Sequence, residues 1–307
     1  MTVVALFRHD DCRRHDMGGG HPEQPARLES IDRALSTADL WPRLDLREAP
    51  LAAAESLARA HPPAYVDDLF ERAPADGVEV LDPDTLMTPY TLAAARRASG
   101  AGIAAVDGIM AGEFERAFCA TRPPGHHAER ATAMGFCFFN HVAVAALHAL
   151  AVHGLERVAI CDFDVHHGNG TEDIVDGDPR VLFCSTFQHP FYPGKAGPDV
   201  PGQRVNCPLP AGTDGAGVLD AIDRQWLPAL AAHAPQLVLV SAGFDAHRAD
   251  PLGGMQLSAV DFGTITRRIV DVAERFADGK VVSILEGGYD LDALGRSVAT
   301  HVSVLLD

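Results

Sequence analysis

The residues best suited to metal binding stand together directly after an apolar segment. Asp162, Asp164 and His166 alternate along the chain there. In an extended backbone alternate side chains share a face, so these three tend to point in one direction. Carboxylate and imidazole groups at a strand end suit Zn²⁺ or another divalent transition metal. The alternative is a solvated turn, but burying two carboxylates beside a core strand is costly unless a cation or hydrogen-bond donors compensate.

A pair of adjacent histidines follows a second apolar segment. His126 and His127 come directly after Pro-Pro-Gly, a sequence typical of a turn. A single histidine is usually a satisfied polar residue, but two at the carboxyl end of a strand suit proton transfer better. The run GFCFFN at 135–140 comes next, and its three phenylalanines either belong to the core or line an apolar channel.

Two further apolar segments end in residues that suit the same site. Asp245 closes the sequence SAGFD and is a third candidate metal ligand. Tyr289 follows two glycines, which allow a tight turn that aims its hydroxyl into a site. All four groups follow predicted parallel strands, and open α/β sheets place their sites at the carboxyl ends of such strands. The coincidence of four strand ends favours one shared site.

The elements that must position these groups alternate along the chain. Short apolar runs without polar alternation predict strands buried on both faces, and their repeated order with helices indicates a parallel sheet. The predicted strands are Val3–Phe7, Ala117–Thr121, Val158–Phe163, Val181–Thr186, Leu237–Ser241 and Val281–Leu285. The predicted helices are Thr91–Met110, His141–His153, Gly215–His233, Ser258–Phe276 and Leu291–Leu306. The fold class is therefore α/β, with a central, mostly parallel β-sheet and helices on both faces.

The remaining stretches are predicted to be loops within one domain that spans residues 1–307. The segment His9–Pro25 is polar and glycine-rich, and is expected to be an ordered surface loop. The segment Ala73–Pro89 is expected to be a loop and not a domain boundary, because the helices on both sides need the same sheet to cover them. No serine- or glycine-rich linker and no internal repeat divides the chain.

Composition and charge exclude several classes of protein. The 307 residues are 47% hydrophobic, which is sufficient for a core without disulfides. Lys and Arg number 25 against 42 Asp and Glu, and the resulting charge of −17 repels nucleic acid. No stretch of about 18 uncharged apolar residues predicts a membrane span, and no signal peptide is expected. The six cysteines form no C-x-x-C pair, which indicates a reduced, cytoplasmic protein.

Together these residues resemble the zinc-dependent histone deacetylase family, and within it the class II branch with its bacterial deacetylase-like amidohydrolases. The matches run through nearly the whole chain in the family's order. They are HPE at 21–23, RPPGHH at 122–127, GFCFFN at 135–140, DFDVHHGNG at 162–170, FYPG at 191–194, SAGFDAH at 241–247, DPLGG at 250–254 and EGGY at 286–289. The resemblance implies the arginase–deacetylase fold.

The resemblance also implies a role for each matching residue. The implied ligands of one catalytic Zn²⁺, with Fe²⁺ as an alternative, are Asp164, His166 and Asp245. The implied catalytic residues are His126 held by Asp162, His127 held by Asn169, and Tyr289 as the electrophilic tyrosine. The residues implied to line an acyl-lysine channel are Gly135, Phe136, Leu252, Gly287 and one of Phe191 or Tyr192.

Structural potassium is a further implication of the resemblance. The first K⁺ site would use Asp162, Asp164 and His166 through backbone oxygens, together with Ser185 and Thr186. A second K⁺ would be held by carbonyl groups near Val175, Asp178 and Val181.

The implied activity is hydrolysis of an amide by metal-activated water, which removes acetyl or similar acyl groups from lysine side chains of proteins or peptides. His127 would take the proton of the water and deliver it to the leaving amine. Tyr289 would stabilise the oxyanion, a contribution of about 3–4 kcal/mol. The alternatives are acetylpolyamine hydrolysis, a silent acyl-ligand binding protein, and a binuclear arginase-like hydrolase, which would need more aspartates where His126 and His127 stand.

Two positions bear on the choice of substrate. Lys195 stands where family members often have threonine, and a cation near the channel mouth is expected to disfavour cationic substrates. Leu252 stands where the polyamine-selective branch has glutamate and lysine deacetylases have leucine. The resemblance therefore favours an acetyl-lysine substrate over an acetylated polyamine.

Overall fold

Every pair of neighbouring strands in the central sheet is parallel. The computed structural model describes residues 3–307. The strands over that range are β1 (Val4–Arg8), β2 (Leu44–Glu48), β3 (Glu79–Asp82), β4 (Thr85–Met87), β5 (Arg116–Cys119), β6 (Val158–Asp162), β7 (Val181–Gln188), β8 (Arg204–Leu209), β9 (Leu237–Ala242) and β10 (Val281–Leu285). The sheet order is β2-β1-β5-β10-β9-β6-β7-β8, and β3 pairs with β4 in a separate antiparallel hairpin.

The helices cover both faces of this sheet. They are α1 (Asp11–Arg14), α2 (Ala26–Thr37), α3 (Ala54–Leu57), α4 (Pro63–Arg72), α5 (Thr91–Met110), α6 (His141–His153), α7 (Asn169–Val175), α8 (Gly215–Ala221), α9 (Leu227–His233), α10 (Ala259–Phe276) and α11 (Leu291–Leu305). A wider π-helical turn at Ile222–Trp226 joins α8 to α9. The segment predicted as one helix, Gly215–His233, is therefore divided into three parts.

The apolar side chains of the strands form a separate core on each side of the sheet. Val4 and Leu6 of β1 pack into one core, whereas Ala5 and Phe7 pack into the other. Helices α2, α10 and α11 contribute to the first core, and α5 and α6 contribute to the second. Burial on both faces explains why the central strands read as continuous apolar runs. The predicted α/β class, with a parallel sheet between helices, is confirmed.

Two strands of the central sheet, β2 and β8, were not predicted from the sequence, and both lie at its edges. In β2 only Leu44 is buried, and Leu46 is 53% exposed. In β8 only two of the six residues are buried. The expectation that Ala73–Pro89 is irregular is wrong as well, because β3 and β4 lie within it. β2, β3 and β8 are mostly not buried and β4 has only three residues, so all four lack the apolar run by which the central strands were recognised.

The segment His9–Pro25 is not simply a surface loop. It contains α1, and both His15 and Glu23 are fully buried. The Glu23 carboxylate accepts hydrogen bonds from Arg27 at 3.1 Å and from Arg122 at 2.6 Å. Because these charges satisfy one another, the segment can pass through the interior without leaving an unpaired charge.

Two further features concern the state of the cysteines and the length and polarity of the helices. All six cysteines are free and buried. Across residues 3–307, no helix is both long enough and apolar enough to span a bilayer.

Candidate active site and metal centre

The four strands that precede the predicted site groups are consecutive in the sheet, in the order β5-β10-β9-β6. Their carboxyl ends therefore meet at one edge. This places His126 and His127 after β5, Tyr289 after β10, Asp245 after β9, and Asp164 with His166 after β6. The parallel order of four neighbouring strands thus brings together residues that are far apart in the sequence.

Asp164, His166 and Asp245 converge at this edge with ligand atoms close together. His166 Nδ1 lies 3.0 Å from Asp164 Oδ1 and 3.2 Å from Asp245 Oδ2. One ligand atom from each residue lies within 4.8 Å of the others, and all three residues are at least 90% buried. The buried Oδ2 atom of Asp245 has no hydrogen-bond partner among the described residues. A buried carboxylate oxygen aimed at an imidazole and a second carboxylate fits a divalent metal site.

Two backbone N–H groups hold the carboxylates in place. Asp164 Oδ2 accepts a hydrogen bond from Gly287 N, and Asp245 Oδ1 accepts one from Val165 N, both at 2.9 Å. A Cβ atom on Gly287 would lie 2.0 Å from Asp245 Oδ2, so only glycine fits there. Gly287 therefore packs against the carboxylates and is not among the residues that line the channel.

The electrostatics of the carboxylate pair also favour a cation. Burial and the neighbouring Asp164 carboxylate raise the pKa of Asp245 to about 7. Two carboxylates in a buried site repel each other and lose hydration when both are ionised. A divalent cation between them would offset both costs, so the donor set and its charge fit Zn²⁺ or Fe²⁺.

The two adjacent histidines have different partners. His126 Nδ1 donates to Asp162 Oδ2 at 2.9 Å, whereas His127 Nδ1 donates to Asn169 Oδ1 at 2.7 Å. Both rings are buried, and their centroids are 4.1 Å apart. Each bond through Nδ1 leaves Nε2 as the atom available to a reacting group.

The surroundings also give the two histidines opposite charge preferences. Burial opposes protonation of His126, but Asp162, Asp164 and Glu286 outweigh it and hold the pKa of His126 well above its ordinary value. Burial lowers the pKa of His127 well below its ordinary value, and the neighbouring His126 and His166 lower it further. The surroundings therefore favour the neutral form of His127, which can accept a proton, and the protonated form of His126.

Tyr289 is held in place by Asp250, from the loop that follows β9, and by a buried arginine. Its backbone N–H donates to Asp250 Oδ2 at 2.6 Å. Arg27 donates to the carbonyl oxygens of Gly288 at 2.7 Å and Glu286 at 2.5 Å, and its guanidinium lies 4.9 Å from the Tyr289 ring centroid. Burial raises the pKa of Tyr289 well above its ordinary value. The phenol is thus a neutral hydrogen-bond donor.

A cavity of about 270 Å³ opens onto these groups. The lining residues are Asp84, His127, Gly135, Phe136, His166, Phe191, Tyr192, Pro251, Leu252 and Tyr289. Phe191 stacks on His166 with ring centroids 5.4 Å apart, and the Tyr192 ring lies 5.1 Å from His127. Both aromatic residues of the 191–192 pair therefore line the cavity, where the sequence analysis expected one.

Gly135 closes one wall of this cavity. Its φ is +57°, and a Cβ atom would lie 2.6 Å from the Cδ2 atom of His127. Its neighbour Phe136 also has a positive φ, of +69°, and packs edge-on against Tyr289 with centroids 5.9 Å apart. The glycine therefore permits the backbone to pass against the His127 ring and brings Phe136 into the wall.

Lys195 does not line the cavity, contrary to the expectation of a cation at its mouth. Its ammonium forms an ion pair with Glu129 Oε1 in a neighbouring polar depression. The same Glu129 oxygen accepts a hydrogen bond from Asn169 Nδ2 at 2.8 Å. Lys195 and Glu129 thus stand behind the Asn169–His127 pair and do not face an entering substrate.

We expect Glu129→Gln to lower kcat about tenfold, the size of effect typical of a residue that orients a functional histidine. The glutamine amide can turn its N–H groups toward Asn169 Nδ2, and these groups cannot accept the hydrogen bond that Asn169 donates. Asn169 Oδ1 would then be held less firmly in the position in which it accepts the hydrogen bond from His127 Nδ1. KM should change little, since Glu129 is not in the cavity wall. Steady-state kinetics on an acetyl-lysine peptide tests this.

The matched control for that variant is Lys195→Met, which removes the cation but keeps the hydrogen bond between Glu129 and Asn169. Because the Lys195 side chain is 57% exposed, its ion pair is worth little, and the loss in kcat should stay below about fivefold. Wild-type kcat in Glu129→Gln would show that Asn169 is held without the carboxylate.

The residues implied to hold potassium form two sets, the first of which includes neighbouring positions of β6 and β7. Asp162 of β6 is opposite Ser185 of β7 in the parallel register, and Thr186 follows it. The buried Ser185 Oγ atom lacks a hydrogen-bond partner within residues 3–307. The second set lies in a turn in which Asp178 N donates to Val175 O and Val181 N donates to Asp178 O, both at 3.1 Å.

Four residues that support or line the site were not identified from the sequence. They are Arg27, Asp84, Glu129 and Asp250. Asp250 had a signal, because it belongs to the DPLGG match, but its role in holding Tyr289 depends on a contact 39 residues away. Asp84 lies in the hairpin between β3 and β4 that was expected to be an irregular loop.

Comparisons with known proteins point to one family. The family model of the histone deacetylase domain matches residues 21–305. A histone deacetylase-like amidohydrolase of Pseudomonas aeruginosa is 42% identical over 88% of this chain and 73% of the relative. Polyamine deacetylase HDAC10 of Homo sapiens is 36% identical over 99% of this chain and 48% of the relative. The crystal structure of the HDA15 HD domain superposes with a TM-score of 0.93 at 34% identity, covering 100% of this chain and 90% of that one.

These similarities extend over nearly the whole chain and agree with the sheet order and with the site at its carboxyl edge. They confirm the resemblance inferred from the sequence. A probable deacetylase of Archaeoglobus fulgidus, 36% identical over 94% of this chain and 82% of the relative, extends the set to the archaea. The chain belongs to the histone deacetylase family, whose deacetylases and amidohydrolases are hydrolases.

Proposed function

We propose that this protein is a zinc-dependent deacetylase that removes acetyl or similar acyl groups from lysine side chains of peptides or proteins, with residues 1–307 as a single catalytic domain. One observation carries the proposal: a buried group of two carboxylates and one imidazole meets, through His166, the base of a cavity that His127, Tyr289 and several apolar side chains also line. The apolar wall suits an acyl-lysine stem, and the groups at the base suit amide hydrolysis.

Asp164, His166 and Asp245 would hold the metal. A zinc ion there supplies Lewis-acid chemistry, since it polarises an amide carbonyl and lowers the pKa of an attacking water. His127 accepts the proton of that water through Nε2 and later delivers it to the leaving amine. Tyr289 donates a hydrogen bond to the carbonyl oxygen as negative charge develops on it. His126, held by Asp162, stabilises that charge electrostatically.

Two K⁺ ions complete the proposed site. Ser185 and Thr186, with backbone oxygens of Asp162, Asp164 and His166, would hold the first. The unpartnered Ser185 hydroxyl within the described chain supports this, because a cation would satisfy its buried oxygen. Carbonyl groups near Val175, Asp178 and Val181 would hold the second. Six free cysteines support a cytoplasmic location, where thiols remain reduced.

The substrate experiment compares kcat/KM on acetyl-lysine peptides and on acetylated polyamines with the zinc-loaded protein. We expect the peptides to react faster, because Leu252 presents an apolar side chain where the polyamine-selective branch has glutamate, which leaves Asp84 as the one carboxylate among the lining residues. Faster reaction of the polyamines would favour the alternative, for which the human relative named a polyamine deacetylase is the supporting observation. If neither substrate releases acetate, the result would favour the third alternative, a catalytically silent acyl-ligand binding protein.

Leu252→Glu is expected to raise activity on acetylated polyamines relative to acetyl-lysine peptides. The new carboxylate at the cavity wall would meet a distal ammonium, at a gain on the order of 1 kcal/mol for a partly exposed pair, or about fivefold in the ratio of kcat/KM. Leu252→Met keeps an apolar side chain of similar volume and should leave that ratio unchanged. If the glutamate also leaves it unchanged, residue 252 does not face the substrate.

A further inference from the structure

Residues 3–307 contain a second group of metal-ligand side chains, remote from the candidate active site. It consists of Asp107 on α5 with His148 and His153 on α6, and one ligand atom from each lies within 4.8 Å of the others. We propose that this group is a second, peripheral site for a divalent first-row transition metal of the Zn²⁺ class. The proposal does not depend on the proposed enzymatic function.

The imidazole atoms that point into the group are both Nε2. His148 Nε2 lies 2.6 Å from Asp107 Oδ1, and His153 Nε2 lies 2.7 Å from the same oxygen. Ligands bound to one tetrahedral zinc at ordinary bond lengths lie about 3.3 Å apart. Moving the carboxylate outward by about 0.6–0.7 Å would therefore lengthen both contacts to the spacing of zinc ligands. Asp107 can make this movement, since its side chain is 50% exposed.

The scaffold holds the group ready for binding. Helices α5 and α6 pack against each other in one core, and the His148 side chain is only 7% exposed, which fixes its ring between them. His153, the last residue of α6, is 23% exposed. One side of the group therefore faces solvent, so an ion can enter and complete its coordination with water. Two imidazoles and one carboxylate favour Zn²⁺, Ni²⁺ or Cu²⁺ over Ca²⁺ or Mg²⁺.

The alternative is a pair of hydrogen bonds from the two imidazoles to one carboxylate oxygen. The Nδ1 atom of His148 does not distinguish the two, because it is buried without a partner in the described structure whatever the Nε2 atom does. The two readings differ in their response to metal. Hydrogen bonds alone predict no uptake, whereas a metal site predicts one ion that links α5 to α6.

The position of the group separates it from catalysis. The first turn of α6 lies beside the candidate active site, where Asn140 donates to the carbonyl oxygen of Ala128 at 3.2 Å. At 1.5 Å per residue, the 13 residues of α6 carry the chain about 18 Å from His141 to His153. The second ion is thus expected to stabilise the packing of two helices and to leave kcat unchanged.

The experiment counts metal on the full-length protein after its catalytic site is loaded with zinc and free metal is removed. Equilibrium dialysis against Zn²⁺ is expected to add one further ion per chain and to raise Tm by a few degrees. Asp107→Asn and His153→Ala should each abolish this ion and the Tm rise, while keeping the catalytic ion and kcat. Asp107→Asn preserves the shape of the side chain and a hydrogen-bond acceptor, so it should fold normally.

The matched control is His233→Ala, which removes another histidine that ends a helix but has no carboxylate partner among the salt bridges of the described residues. This variant should still take up the further ion. The proposal is overturned if the parent protein takes up no ion beyond the catalytic one, or if Asp107→Asn and His153→Ala take up as many as the parent. Because the readout is metal content, failure of the deacetylase proposal would not affect it.

Discussion

Asp245→Ala is expected to abolish both retention of the catalytic metal and deacetylase activity. Asp245 supplies one of three candidate ligands, and its Oδ2 atom has no other partner within the described chain. With one carboxylate and one imidazole left, too few protein ligands remain for a stable site. Metal analysis after chelator-free purification should give about one Zn²⁺ or Fe²⁺ at this site in the parent and none in the variant.

The fold should survive this change. Removing a buried carboxylate whose pKa is raised to about 7 relieves its repulsion with Asp164, and this offsets the hydrogen bond lost by Val165 N. Tm of the metal-free variant should therefore be close to that of the metal-free parent. Asp271→Ala, which removes an exposed aspartate from α10, is the control and should keep metal and activity. Full activity of Asp245→Ala would show that Asp245 is not a required ligand of the catalytic metal.

The metal count also bears on the arginase-like alternative. A binuclear centre would place a second ion beside Asp164, and that ion would be lost together with the first in Asp245→Ala. An ion at the peripheral group on α5 and α6 would remain in that variant and disappear in Asp107→Asn. The two variants therefore assign each ion to its own set of ligands.

The central part of the fold was predictable because its strands are buried on both faces. The apolar runs of β5, β6, β9 and β10 need no tertiary information to be recognised, and the polar groups after them stand next to each other because those strands are neighbours. The edge strands β2 and β8 were missed because only one residue of β2 and two of β8 are buried, so neither contains an apolar run. Burial on one face leaves a weaker pattern than burial on both.

The supporting residues were not predictable, because their roles come from contacts that no spacing encodes. Glu129 is 40 residues from Asn169 in the sequence, and a glutamate two positions after His127 reads equally well as a solvated charge. Lys195 was expected at the channel mouth because it stands where family members often have threonine, but its ammonium pairs with Glu129 instead. The direction in which a loop side chain points depends on the group with which it pairs. That group can be identified only once the chain is folded.

His127→Ala and Tyr289→Phe are expected to reduce kcat by different routes. Loss of the proton acceptor at His127 should cost on the order of 10²–10⁴ in kcat. Tyr289→Phe keeps the ring that packs against Phe136 but loses the hydroxyl donor, at a cost of about 10²–10³. Neither residue belongs to the candidate ligand group, so both variants should retain the metal and bind a hydroxamate that coordinates it.

The double variant tests whether His127 and Tyr289 act on the same transition state. If they do, removing either one already impairs the step that the other assists, so the double loss should be smaller than the product of the single losses. Both side chains line the same cavity, consistent with one shared reacting group. Loss of zinc from either single variant would make that residue a ligand and contradict its assigned role. Wild-type kcat in Tyr289→Phe would mean that another group stabilises the oxyanion, and Arg27 behind the ring is too deeply buried to replace it.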